Sequence, residues 1–322
     1  MSQPTIIAVG ELLVEFVSHQ TGCGLRELTE YSGPYPSGAP AIFIDQAARM
    51  GASTRIYGSL GQDNFGNALV DRLNSDGVNT DCIVSHENLT TGVAFVSYFE
   101  NGSRTFIFHL NNTAADAVAN ANFELPDGPV ILHVSGSSLG NSKLRAAIQA
   151  TVAKVIAAGG KISCDPNARA ELMDDTQVRD ALFTLMKQSS YLFPSTSDLE
   201  FLYPGKSESS STTELCAYGA DVVVLKRGAE GCIVFDKANS APFTGHAVSE
   251  VDPTGAGDCF CGTFLALMTQ GHTVDSAARY ANAAGALAVT ARGPMEGNST
   301  LEELEQFLSQ QDNATNRQPH SS

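Results

Sequence analysis

The chain has 322 residues, 43% hydrophobic and 17% charged, with a formal net charge of −16 at pH 7. That length suits one large domain, or a domain with a smaller attachment, around a sizeable core. The acidic balance argues against a general nucleic-acid or membrane binder, and no apolar run reaches the roughly 18 residues of a membrane span.

From the N-terminus, Met1-Ser2-Gln3-Pro4 lacks a basic region and runs into strand-like Thr5-Ile6-Ile7-Ala8-Val9, which is not a signal peptide. The seven cysteines are scattered without a CxxC and read as reduced structural thiols of a cytoplasmic protein. Strand candidates follow at Ile6–Gly10, Arg55–Ser59, Val130–Ser135, Lys161–Asp165, Tyr191–Phe193, Val222–Lys226 and Cys232–Phe235. Amphipathic stretches lie between them at Ala41–Met50, Phe65–Asp76, Lys143–Ala158 and Val178–Lys187. The alternation predicts an α/β fold: a doubly wound, mostly parallel sheet with helices on both faces. Ligands of such sheets sit beyond the carboxyl ends of the strands.

Two segments break the rhythm. Residues 14–36 are strand-like and Gly-rich. Residues 92–110 read as a hairpin, Val93–Phe99 and Arg104–Phe108 around Glu100-Asn101-Gly102-Ser103, with Asn-Gly as the turn signal. Together they predict either a small β-sheet lid or a surface hairpin. The C-terminal third reads as helical at Cys259–Gln270 and Val274–Thr290, with Cys259 and Cys261 buried. Residues 1–310 form one predicted domain, and the polar 311–322 a disordered tail.

The stretch Asp252-Pro253-Thr254-Gly255-Ala256-Gly257-Asp258 precedes the first of these helices. Small residues let backbone N–H groups approach a ligand, and a helix start adds unpaired N–H groups that suit phosphate. Asp258 would repel an anion, so it reads either as a capping aspartate or as a base for a nucleophile attacking that phosphate. The string D-x-T-G-A-G-D resembles the second signature of the ribokinase-like (PfkB) family of sugar kinases. Other elements agree. Ser37-Gly38-Ala39-Pro40-Ala41 with Ala47–Gly51 resembles the first signature, with Ser37 for its first glycine and Ile42 for its asparagine. Gly58–Gly66 resembles the family's G-x-D-x-x-G turn, read as structural. Leu225–Gly231 looks like its nucleotide loop, and Asn282–Gly293 like its adenine-side segment. The resemblance spans residues 5 to 310.

The resemblance implies an ATP-dependent carbohydrate kinase with a ribokinase-like fold and a lid. Asp258 would be the general base, and the amides of Gly255, Ala256 and Gly257 the anion hole. Lys226, Gly228, Gly231, Gly255, Gly257 and Asn282 would face ATP; Lys226 and Arg227 are alternatively solvated charges. Gly38, Ala39, Glu15, Arg104, Asn167, Arg169 and Asp258 would face the sugar. Glu15 replaces an aspartate of the family and is otherwise an exposed strand carboxylate, and Arg104 is otherwise a rim charge. For magnesium, the family's N-x-x-E corresponds to Ser195 and Asp198, leaving Asp198 as the candidate. A monovalent cation, K+ in particular, would take oxygens of Asp252, Thr254, Ala288, Ala291 and Gly293. Exposed lid edges would allow a homodimer.

The first-signature form with Ile42 looks closest to the tagatose- and fructose-kinase-like branch, so the expected acceptor is a ketohexose. The runner-up is 2-keto-3-deoxygluconate kinase, whose arginine after the hairpin corresponds to Leu110 here. A nucleoside kinase, with Phe95 and Phe106 stacking on a base, and a non-catalytic sugar or ATP sensor are further alternatives. Gly205-Lys206-Ser207 imitates the end of a Walker A loop, but Glu200 occupies its first glycine position, and Ser207–Ser211 reads as a loop.

Overall fold

The computed structural model describes residues 3–100, 104–120, 123–236 and 239–315. In chain order the first half contains β1 (Thr5–Val9), β2 (Leu13–Ser18), β3 (Tyr31–Ser37), α1 (Ala39–Arg49), β4 (Thr54–Gly61), α2 (Asn64–Ser75), β5 (Ile83–His86), β6 (Gly92–Tyr98) and β7 (Arg104–His109). Next come β8 (Val130–Ser135), α3 (Ser142–Ala157), β9 (Lys161–Asp165), α4 (Ala170–Met173), α5 (Thr176–Gln188), β10 (Tyr191–Leu192), α6 (Thr196–Leu202) and α7 (Glu208–Cys216). The last part holds β11 (Val222–Lys226), β12 (Gly231–Asp236), β13 (Ser240–Thr244), α8 (Ala256–Thr269), α9 (Val274–Ala288) and α10 (Leu301–Thr315).

A nine-stranded sheet runs β13-β12-β11-β10-β9-β8-β1-β4-β5. It is parallel from β5 to β11 and ends in the antiparallel β11-β12-β13. The chain passes from β1 to β4 and β5 on one side and returns through β8 on the other. The fold therefore reverses at β1 and β8, whose carboxyl ends open a crevice. Continuous apolar runs such as Val130–Ser135 are buried along their whole length because helices cover both faces. Two apolar clusters result. One packs α1, α8 and α9 on one face, and the other packs α3 and α5 on the opposite face.

A separate four-stranded sheet, β3-β2-β6-β7, is the lid. It is built from the two segments that break the α/β rhythm, with β2 and β6 parallel and each flanked by an antiparallel edge strand. Its base is stapled to the main domain by Asp63, the N-cap of α2. This carboxylate accepts hydrogen bonds from Gly66 N at 2.8 Å, Thr91 N at 2.7 Å and Thr91 Oγ1 at 2.8 Å. The turn around Asp63 is thus structural, as expected.

Helices α1 and α8 are in backbone contact. A Cβ at Gly262 would lie 2.5 Å from the Phe43 carbonyl oxygen and 3.1 Å from Ala47 N. Cys259 through Leu267 are all buried, with Cys259 and Cys261 fully so. The seven cysteines are unpaired thiols. Among the described residues no helix is long and apolar enough to cross a membrane.

The structure corrects two expectations. The serine-rich run 207–211 is the start of α7, not a loop: Ser207 caps it by accepting from Ser210 N, and Thr212 and Thr213 return their hydroxyls to the Glu208 and Ser209 carbonyls at 2.8 Å. Those hydroxyls are satisfied within the helix instead of competing with it. Residues 311–315 continue α10, where the expected tail begins. Thr300 and Glu303 form a reciprocal cap at the start of α10, and Arg279 pairs with Asp312 at 2.6 Å near its end. Residues 316–322 and hairpin-turn residues 101–103 lie outside the described residues.

Candidate active site

Gly255 adopts φ 83° and caps α8. A Cβ there would lie 2.4 Å from the Pro294 carbonyl oxygen and 3.1 Å from Ile42 Cγ2, so only glycine fits this turn. Ile42, the position that departs from the family signature, is 2% exposed core packed beneath this glycine. The first turn of α8 then presents the N–H groups of Ala256, Gly257 and Asp258, which have no carbonyl four residues back within the helix.

Asp258 sits half-buried in this turn. Burial pushes its carboxyl up to about 8, and Asp165 and Glu11 add to the rise, while Lys226 and Arg169 oppose it. A carboxyl raised into the neutral range suits a proton acceptor. Lys226, at the carboxyl end of β11, lies beside the same turn: a methyl on Gly257 would sit 3.2 Å from its Nζ. Its partner is Asp165, at the end of β9, in a buried ion pair. Burial alone would lower the Lys226 ammonium, but Asp165, Cys261 and Asp198 outweigh it and hold it above the usual lysine range. Lys226 is therefore a cation fixed beside the Gly255–Gly257 turn. Arg227 is a surface charge paired with Glu208 and Glu230.

Of the other nucleotide candidates, Gly228 has φ 57° and open space where a Cβ would be. Gly231 is structural, since a Cβ would meet the Phe243 carbonyl oxygen at 2.0 Å. Asn282 spends its amide on the Phe243 and Thr244 carbonyls at 3.2 and 3.4 Å, tying α9 to the edge strand β13.

Of the sugar candidates, Gly38 caps α1 with φ 109°, and a Cβ there would lie 2.5 Å from the Glu11 carbonyl oxygen. Ala39 follows as the first residue of α1. Glu15 is 3% exposed and so is no surface carboxylate. Ser37 donates to its Oε2 at 3.2 Å, whereas its buried Oε1 has no hydrogen-bond partner among the described residues. Burial first, and then Asp252, push Glu15 up to about 7 against Ser37, Arg104 and Arg169. Arg104 lies 5.3 Å and Arg169 5.6 Å from the centroid of the Phe106 ring, so two guanidinium groups meet at one lid aromatic. Asn167 takes a left-handed φ of 39° and donates from Nδ2 to Ser135 Oγ at 3.1 Å, linking the ends of β8 and β9.

Asp198 is the third helical residue of α6. Its Oδ1 accepts from Ala168 N and its Oδ2 from Ser195 N and Oγ, each at 2.6 Å. Both oxygens are thereby engaged in holding two loops. Among the described residues, no group of three or more His, Cys, Asp or Glu could hold a metal by itself. Such a donor set fits a magnesium ion carried by a nucleotide and reached through water, not an all-protein cage. The segments named for a monovalent cation are stapled together. Gly293 N donates to Asp252 Oδ2 at 3.0 Å, and Val289 O accepts from Val251 N at 2.7 Å and Asp252 N at 3.1 Å.

Sequence reasoning missed three residues. Asp165 ends a strand that the sequence marks, but its pairing with Lys226, 61 residues on, leaves no local signal. Glu11 lies two residues past the end of β1 at the crevice edge, and its buried Oε2 has no hydrogen-bond partner among the described residues. Tyr98 ends β6 and hydrogen bonds to Asp252 and Thr254. Position alone could have flagged Glu11, because it sits at the carboxyl end of a central strand.

The profile of the pfkB family carbohydrate kinases matches residues 3–301. A fructokinase of Vibrio alginolyticus is 31% identical over 285 residues, covering 85% of this chain and 92% of its own. An E. coli protein provisionally described as a ribokinase II, solved in complex with ATP and Mg2+, is 36% identical. It superposes with a TM-score of 0.86 over 95% of this chain and 99% of its own. A double mutant of Vibrio cholerae O395 fructokinase, bound to fructose, ADP and potassium ion, is 24% identical. It shares the fold, with a TM-score of 0.81 over 95% of this chain and 99% of its own.

Proposed function

Because the chain belongs to the pfkB family of carbohydrate kinases, we propose that it transfers the γ-phosphoryl group of ATP to a hydroxymethyl group of a ketohexose, fructose or tagatose. The observation that carries this reading is the raised Asp258 carboxyl in the same helix turn as the Gly255–Gly257 amides, with Lys226 beside it.

The sugar enters between the α1 N-terminus and the lid, where Gly38 and the unpartnered Glu15 Oε1 accept or approach its hydroxyls. Asp258 removes the proton as the hydroxyl oxygen attacks the γ-phosphorus and the bond to the ADP oxygen breaks. Lys226 and the amides of Gly255, Ala256 and Gly257 offset the charge that develops on the transferring group. Magnesium, when bound with ATP, would neutralise phosphate charge, with Asp165 at the end of β9 and Asp198 in the first turn of α6, both near Lys226, to order its waters. Asp252, Thr254, Ala288, Ala291 and Gly293 would hold a monovalent cation behind the turn.

One observation favours a second acceptor class. Arg104 and Arg169 converge on Phe106 and are the cations a sugar acid such as 2-keto-3-deoxygluconate would need. A panel of ketohexoses, aldoses, nucleosides and 2-keto-3-deoxygluconate, assayed with ATP and magnesium, decides between them. Preference for fructose or tagatose supports the first reading, and preference for the acid overturns it. Binding without turnover would make the protein a sensor. The free lid edges, β3 and β7, are the surface a homodimer would use, with Phe108 44% exposed on β7. Sedimentation velocity of the wild type against a Phe108→Glu variant tests that.

A further inference from the structure

Four polar side chains connect the lid to the phosphate-binding turn. Arg104 Nη1 lies 3.4 Å from Thr254 Oγ1, Thr254 Oγ1 lies 2.6 Å from the Tyr98 hydroxyl, and the Tyr98 hydroxyl contacts Asp252 Oδ1. The direction of the chain is fixed by its ends. A guanidinium only donates and a carboxylate only accepts, so Arg104 donates to Thr254, Thr254 to Tyr98, and Tyr98 to Asp252. Tyr98 and Arg104 face each other across the β6–β7 hairpin, so the lid supplies both as one unit.

Asp252, at the receiving end, is 1% exposed and organises the turn. Its Oδ1 also accepts from Thr254 N at 3.0 Å, and its Oδ2 from Gly293 N at 3.0 Å. A second lid residue meets the same region: Tyr35 of β3 lies where a Cβ on Gly293 would be, 2.8 Å away. The turn that carries the Gly255–Gly257 amides is therefore braced from the main domain by Pro294 and Gly293 and from the lid by Tyr98.

We propose that Tyr98 is a positioning residue, a latch through which the seated lid fixes the Asp252–Thr254 turn and hence the anion hole. The phosphotransfer role of that turn rests on the function proposed above. Phosphate stabilisation is then complete only with the lid seated on the turn, as the Tyr98 and Arg104 contacts hold it.

The test compares Tyr98→Phe, Thr254→Val and the double variant of the full chain. Tyr98→Phe keeps the ring and removes the hydroxyl. Its kcat falls about tenfold, the worth of one hydrogen bond to a charged group, while KM for ATP and the thermal midpoint stay at wild-type values. Because both hydroxyls serve one chain, the double variant loses no more than the worse single variant. Losses that multiply, or a Tyr98→Phe kcat equal to wild type, overturn the latch. An activity-independent arm measures hydrogen exchange across residues 251–257 in the free protein. The latch requires faster exchange in Tyr98→Phe, and equal exchange overturns it even if no sugar tested is a substrate, which would count separately against the proposed function.

Discussion

Replacing Asp258 with asparagine exchanges one carboxylate oxygen for an NH2 group of similar size and leaves no cavity, so it isolates the loss of a proton acceptor. With the Asp258 carboxyl raised to about 8, only about a tenth of the ligand-free enzyme carries the ionised base at pH 7. In the wild type, log kcat/KM should therefore climb with unit slope toward about pH 8 and then level. A general base contributes about 10²–10⁴-fold, or about 3–5 kcal/mol of barrier at 1.36 kcal/mol per decade, so Asp258→Asn should lose that much turnover while still binding nucleotide. Stability supplies the control. Because its folded value lies above the unfolded 3.8, Asp258 adds stability that is fully present below about pH 4 and is lost as pH rises through about 8. The asparagine variant, which does not ionise, should then be at least as stable as wild type in alkali, with the gap closing in acid. Stopped-flow or coupled assays across pH, with thermal melts at each end, read both effects. Turnover within tenfold of wild type, or an acid limb that survives in the variant, would refute the base assignment.

Lys226→Met strands a nearly buried Asp165 and should destabilise the fold by about 3–5 kcal/mol in urea titrations, besides raising KM for ATP; an unchanged midpoint would mean the pair is solvated. Gly38→Ala puts a methyl 2.5 Å from the Glu11 carbonyl oxygen at a φ of 109°. It should cost more than about 1 kcal/mol and raise KM for sugar more than for ATP, and a uniform rise in both would remove Gly38 from the sugar side. Saturating sugar should slow hydrogen exchange in β6 and β7, and exchange that ignores sugar would count against closure of the lid.

What was readable in advance follows from where each residue spends its side chain. Val130–Ser135, Lys161–Asp165 and Val222–Lys226 are central strands covered on both faces, so their apolar runs mark both ends to the residue. The outer strands β5 and β13 carry no such signal. Ile83–His86 is half-exposed, and Ser240–Thr244 contains Pro242, which an edge strand tolerates but a sequence reader takes as a break. Helix α7 was hidden because serine and threonine favour loops locally, and only their back-bonding to carbonyls shows the helix. At the site, the glycine turn and Asp258 are contiguous and visible. The Lys226–Asp165 pair spans 61 residues, and the Tyr98–Asp252 bond spans 154. Contacts of that kind depend on how two sheets are brought together, which no local pattern records.

The missing side chain of Gly262 has a wider meaning. With the backbones of α1 and α8 touching there, the helix capped by Gly38 and the helix capped by Gly255 are packed as one piece. On the function proposed above, the distance between acceptor hydroxyl and incoming phosphorus would be set by this frame, not by a hinge between two halves. On that same function, selection for a new sugar could act on lid positions other than Tyr98 and Arg104, which brace the turn, while the frame keeps its geometry. A protein engineer would graft residues of β6 and β7 under the same restriction.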